Sequence, residues 1–171
     1  YASVSEEDAV AAYAPKRKVV VSTEPIKDGD IRFALVGAGN LAKWAHLPAL
    51  NKIAGAKLHA VHSNSGARGK AYAKRFGASY SSSDLGEILG DKDIHAVIIA
   101  SRHKDHAEQA IAALEAGKHV FIEKPMSITV DECRAINAAV ESSGKRLMVG
   151  FNRRFAPFYT EMKQNLKGRT S

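Results

Sequence analysis

Residues 31–50, IRFALVGAGNLAKWAHLPAL, decide how this chain is read. An apolar run climbs into Gly37-Ala38-Gly39, and a helical pattern starts at once at Asn40. A turn that bare and that sharp answers one of two needs. Either a phosphate comes close to the backbone, or helix and strand pack tightly at a corner. The spelling Gly37-Ala38-Gly39-Asn40-Leu41-Ala42 is G-x-G-x-x-A. In that motif the first glycine permits the turn, the second lets a pyrophosphate approach, and the small last residue lets helix and strand pack closely. The free N–H groups and positive end of the helix then face the anion.

Outward from this stretch, strands and helices alternate. IRFALV, KLHAVHS, ASYS, AVIIA, HVFI and RLMVG read as six strands. Helices are expected over 40–51, 66–76, 104–116, 129–143 and 154–166, with a short one opened by Asp84. Glu87 stands three residues after Asp84, and Glu132 three after Thr129, the spacing of a capping box. Pro48 is expected to end or bend the first helix early. AVIIA carries no polar side chain, as a strand covered on both faces should. This alternation predicts an α/β fold, a doubly wound parallel sheet of the Rossmann type in strand order 3-2-1-4-5-6, in a single domain. The boundaries expected are an N-terminal helix and linker over 1–29, a dinucleotide-binding domain over 30–152, and over 153–171 the first helix leading into a further, C-terminal domain. KRKVVVST, within the linker, reads as a short strand or extended segment.

Composition narrows the classes. The chain has 171 residues, 45% hydrophobic and 25% charged, which suits a globular domain. No apolar run is long enough for a transmembrane helix, so no membrane partner is expected. The acidic start YASVSEEDAV is unlike a signal peptide, and a cytoplasmic location follows as the expectation. It lacks an initiator Met and reads as a piece of a longer chain. Cys133 is the sole cysteine and sits in a helical pattern, where a packed thiol is expected. No Cys/His spacing suggests a metal. The net charge of +7 raises nucleic acid as a partner. The cations are scattered, however, and no RNA-binding or zinc-finger signature accompanies them. A site for an anionic cofactor accounts for the charge as well.

Two further stretches carry chemistry. After the second strand a dinucleotide site usually has an acid for the ribose hydroxyls, about 20 residues beyond the glycines. Here the chain reads Ser63-Asn64-Ser65, with Arg68 opening the next helix and no acid nearby. Hydroxyl and amide donors with a guanidinium suit a 2′-phosphate, which an acid would repel. NADP(H) is therefore favoured over NAD(H). An ordinary loop and helix start is the competing reading. The other stretch is Glu123-Lys124-Pro125 after the fifth strand, at the carboxyl edge where open α/β sheets bind ligands.

GAGNLAKWAHLPAL, IIASRHKDHAEQAIAALEAGKHVFIEKPMS and GKRLMVGFNRRFAP, in this order over about 31–158, resemble successive motifs of the Gfo/Idh/MocA oxidoreductases. The resemblance implies an N-terminal Rossmann domain followed by an α/β substrate domain. It implies a pyrophosphate turn at Gly37, Gly39, Asn40 and Leu41, and a cofactor contact at Ser101. It places Glu123 and Lys124 beside the nicotinamide, with Lys124 the catalytic residue that assists proton movement. It places Asn152 at the entry to the second domain. Where relatives often have Thr-Pro-Asn, this chain has Ser101-Arg102-His103, which puts His103 on the nicotinamide side. A sharp bend, with a cis Lys124–Pro125 bond, is implied as well. The chain stops before the family's substrate sheet and its Asp/His pair, so it should not turn over substrate alone, and Lys124 should lie exposed. The stretch AYAPKRKVVV resembles the joint of two-part bacterial oxidoreductases with an upstream zinc-type alcohol-dehydrogenase module.

The leading function is thus the cofactor-binding domain of an oxidoreductase that moves hydride between a nicotinamide and a sugar or polyol. The alternative is a non-catalytic dinucleotide-binding regulatory or assembly module. A methyltransferase shares the glycine turn but leaves Glu123-Lys124-Pro125 unexplained. A homo-oligomer stays open.

Overall fold

The computed structural model describes residues 17–23 and 28–167. The N-terminal helix expected ahead of KRKVVVST lies outside them. Among the described residues the strands are β1 (Lys18–Val20), β2 (Ile31–Val36), β3 (Ala56–His62), β4 (Tyr80–Ser82), β5 (Ala96–Ile99), β6 (His119–Ile122) and β7 (Leu147–Val149). They form one sheet in the order β1-β4-β3-β2-β5-β6-β7. From β4 to β7 every pairing is parallel. This is the expected 3-2-1-4-5-6 arrangement. The sheet carries one strand more than the six expected, because β1 adds antiparallel to the edge of β4. Lys18-Val19-Val20, with two β-branched residues, satisfies the free edge of β4 there.

The helices are α1 (a π-wound stretch Ala42–His46 running into Leu47–Leu50), α2 (Gly66–Phe76), α3 (Leu85–Gly90), α4 (His106–Glu115), α5 (Val130–Ser143) and α6 (Pro157–Asn165). Alternate side chains of the central strands feed two separate cores. On one face Ala34 and Val36 of β2 join Val97 and Ile99 of β5, under Ala110 and Leu114 of α4 and Ile136 of α5. On the other, Leu35 and Ile98 pack under Ala42, Leu47 and Leu50 of α1 and Ala73 of α2. All four residues of β5 are buried, as a strand covered on both faces requires.

Three local expectations resolve in instructive ways. Pro48 does not end α1; the helix widens before it, with Leu47 N–H bonded to Ala42 O. Pro48 has no N–H to give to the preceding turn, and the wider winding absorbs that loss. At α5 the capping box forms, with Thr129 and Glu132 exchanging side-chain bonds to backbone N–H groups. At α3 only half of the box forms. Asp84 caps Gly86 N–H at 2.8 Å, but Glu87 accepts from Ser82 Oγ instead of reaching back. Asp84 N–H is already bonded to Ser82 Oγ, so no donor is left for Glu87 there.

Candidate cofactor site

Sheet order reverses between β2 and β5, and the glycine turn leaves β2 at that point. Ligands of open α/β sheets bind in such a crevice. Gly37 has φ +101°, and a Cβ on it would sit 2.6 Å from Ser101 N and 2.7 Å from Ser101 Cα. Its bareness is demanded by packing against the end of β5. Gly39 is different. A Cβ there would meet only Ala100 O, at 3.8 Å. The protein itself does not require a glycine at 39, and the space beside it is open. Packing thus accounts for the glycine at 37 and not for the one at 39. Tyr72 of α2 braces the turn by donating from its hydroxyl to Gly39 O at 3.1 Å.

A cavity of about 580 Å³ opens over this turn. It brings together Gly37, Gly39, Ser63, Asn64, Arg68 and Ser101, six of the residues expected from sequence. Arg68, Arg102 and Lys104 line it against one acid, Asp105. A backbone cradle, an open face at Gly39 and an excess of cations fit a pyrophosphate with an adjoining sugar. A neighbouring hollow shares His62, Asn64, Asp105 and Gln109, but Asp84 and Glu108 join Asp105 on its walls. That makes it a poor place for a phosphate.

Within the cavity the hydroxyls are not equally free. Ser63 is only 7% exposed, and its Oγ accepts Ser65 N–H at 3.3 Å. Ser101 Oγ donates to Gln109 Oε1 at 2.6 Å. His62, at the end of β3, is buried, and desolvation lowers its pKa despite opposing contributions from a Ser83 backbone bond and the Asp84 charge. Burial thus favours its neutral form. Sequence reading missed His62, Gln109, Arg102, Lys104 and Tyr72 as parts of this region. Of these only Arg102 carried a signal, as part of the Ser101-Arg102-His103 departure from the family pattern.

The remaining expected residues lie outside the cavity. Asn40 and Leu41 are exposed at the start of the helix. His103 sits in a 3₁₀ turn, its ring 5.5 Å from that of His106. Asn152 is exposed at the start of another 3₁₀ turn. Glu123 and Lys124 follow β6. Lys124 is exposed, as expected, and the Lys124–Pro125 bond is cis. Glu123 is buried. Its Oε2 accepts Lys124 N–H at 3.2 Å, and its Oε1 lies 2.9 Å from Nε2 of His46. That contact is close but off the line of a formed hydrogen bond. Gly150 makes room for this arrangement, since a Cβ there would stand 3.0 Å from Glu123 Oε1.

Among the described residues one other cluster, His59, Asp91 and Asp93, brings donor atoms within 4.8 Å of one another. Each is already engaged. Tyr80 Oη donates to Asp91 at 2.7 Å, His59 Nε2 lies 3.3 Å from Asp91, and Arg32 donates to Asp93 at 2.8 Å. The cluster ties the chain together near the amino ends of the strands, away from the crevice. No described helix is long and apolar enough to cross a membrane.

A glycine turn at the switch point of a parallel sheet, beneath a cationic crevice, defines a nucleotide-binding Rossmann domain. Residues 31–151 match the family described as "Oxidoreductase family, NAD-binding Rossmann fold". The chain belongs to this family, the Gfo/Idh/MocA oxidoreductases. It is 36% identical over 141 residues to an inositol 2-dehydrogenase of Acidothermus cellulolyticus, covering 82% of this chain and 41% of that protein. It is 34% identical over 136 residues to the scyllo-inositol 2-dehydrogenase (NAD(+)) of Bacillus subtilis, covering 80% and 40%. Among solved structures, KijD10, a 3-ketoreductase of Actinomadura kijaniata in complex with NADP and TDP-benzene, superposes with a TM-score of 0.76 at 28% identity. That match covers 80% of this chain and 42% of KijD10. The chain thus spans about two fifths of the length of these relatives.

Proposed function

We propose that this chain is the NADP(H)-binding half of an oxidoreductase that exchanges hydride with a sugar or polyol. The observation that carries the cofactor reading is the single cavity running from Gly37 and Gly39 to Asn64, Ser65 and Arg68. The glycine turn would hold the pyrophosphate, and the residues that follow β3 would hold the adenosine ribose. The loop over 63–68 carries no acid to claim the 2′-hydroxyl or repel a 2′-phosphate, and Asp105 is the one acid on the cavity wall. Ser63 Oγ accepts Ser65 N–H, which leaves its own O–H to donate, so Ser63, Asn64, Ser65 and Arg68 are the candidate phosphate donors.

The ends of β5 and β6 would then face the nicotinamide half. The cofactor carries the hydride; the protein orients it and handles the proton. Lys124 is the residue we assign to proton movement at the substrate hydroxyl, with Glu123 setting the turn that presents it. The inositol dehydrogenases and the ketoreductase among the relatives support a polyhydroxylated substrate.

Titration of the chain with NADPH and with NADH tests the cofactor reading. A charge-assisted hydrogen bond contributes about 1.5–3 kcal/mol, so Arg68→Ala should weaken NADPH about ten- to a hundredfold and leave NADH unchanged. Equal affinities for the two cofactors in the wild type, or an unchanged NADPH affinity in Arg68→Ala, refute it.

A further inference from the structure

We propose that His46 and His106 are positioning residues that hold the Glu123-Lys124-Pro125 turn from its two ends, so that the nicotinamide meets Lys124 in one orientation. The proposal rests on reading this crevice as a nicotinamide-dinucleotide site.

The turn is anchored to the sheet as far as Glu123, whose N–H donates to Ile99 O at 2.9 Å. Beyond that the backbone leaves the sheet. Lys124 is exposed, so the backbone of the turn, not side-chain packing, sets where it projects. Two imidazoles from other elements stand against the turn, one bonded to its backbone and one against the Glu123 carboxylate. At the far end His106 Nδ1 lies 2.7 Å from Pro125 O. A carbonyl only accepts, so Nδ1 carries the proton, and in the neutral ring Nε2 is then a bare lone pair. His106 is 0% exposed, and Nε2 has no hydrogen-bond partner among the described residues. A leucine would fill the same volume without burying an unpaired nitrogen. Packing therefore does not account for an imidazole at this position, whereas the bond to Pro125 does.

At the near end His46 Nε2 stands 2.9 Å from Glu123 Oε1, and its ring meets Phe121 edge to face at 5.4 Å. Glu123 Oε2 in turn accepts Lys124 N–H. His46 closes the π-wound part of α1, the helix that begins at the glycine turn. The same helix would therefore meet the pyrophosphate at its start, and it sets His46 against Glu123. His106 lies on α4, and the turn is clamped between helices packed on opposite faces of the sheet. A turn held this way presents one geometry to the nicotinamide, and such support decides whether a binding contact is made at full strength.

The test uses this chain and two probes: the reduced dinucleotide that the wild type binds more tightly, and the matching ADP-ribose or 2′-phospho-ADP-ribose, which lacks the nicotinamide. His46→Leu and His106→Leu should weaken the dinucleotide about tenfold while the nicotinamide-free probe stays within about twofold. His46→Gln and His106→Asn should restore binding, because each amide nitrogen replaces the ring nitrogen that makes the contact. Independently of any variant, ¹⁵N NMR of the wild type should show His106 in the Nδ1–H tautomer. An Nε2–H tautomer overturns the proposal, as do Leu variants with wild-type affinity for both probes or with equal losses on both. A wild type that binds no dinucleotide removes the reading of the site and this proposal together. A wild type that binds one, alongside unaffected Leu variants, removes only the proposal.

Discussion

Replacing the two glycines of the turn by alanine, one at a time, should produce opposite phenotypes. At Gly37 an added Cβ would lie 2.6–2.8 Å from Ser101 N, Ser101 Cα and Ala100 C. All three are backbone atoms of the neighbouring strand end, which cannot swing aside as a side chain could. The φ of +101° adds a second penalty. A left-handed conformation costs an L-residue roughly 1–2 kcal/mol, and overpacking typically costs about 1–3 kcal/mol. Gly37→Ala should thus lose about 2–5 kcal/mol, a large share of the roughly 5–15 kcal/mol that holds a domain together.

Gly39 is not among the positive-φ glycines, and its added Cβ would make only an ordinary 3.8 Å contact with Ala100 O. Gly39→Ala should fold as stably as wild type, or up to about 1 kcal/mol more so, since alanine restricts the unfolded chain. Its methyl group stands where the pyrophosphate must approach, so one charge-assisted bond worth about 1.5–3 kcal/mol is lost. Dinucleotide affinity should fall by about one to two orders of magnitude. Urea unfolding and cofactor titration on the same samples measure both quantities. A stable Gly37→Ala protein, or a Gly39→Ala protein with full affinity, would refute this division of labour.

Other expectations follow from single contacts. Thr129→Ala removes the side chain that caps α5 and should cost about 1 kcal/mol in urea unfolding, with cofactor affinity untouched because α5 starts outside the cavity. His62 has a folded pKa below the ordinary 6.5. The unfolded chain therefore binds a proton that the folded chain refuses, and this contribution to stability is present above about pH 6.5 and is lost as the pH falls below it. His62→Gln should flatten the dependence of unfolding midpoint on pH over that range, and an unchanged slope would show that His62 does not titrate as described.

Much of this protein was legible in one dimension because its fold is written in local patterns. AVII is apolar throughout because β5 is covered on both faces, and Gly37 is bare because it must turn and pack at once. The strand order from β4 to β7 follows from such units with right-handed crossovers. What the sequence could not disclose depends on partners far apart in the chain. It did not say which glycine serves packing and which stays open, since that is settled by Ala100 and Ser101 about sixty residues away. It did not show that Ser63 Oγ would accept Ser65 N–H within the loop. It gave no hint that His46 would meet Glu123 or that His106 would hold Pro125. The physical reason is common to all of these. Backbone turns and apolar periodicity are decided by neighbours along the chain, whereas the burial and bonding of a polar side chain are decided by whichever segment the sheet and its crossovers bring against it.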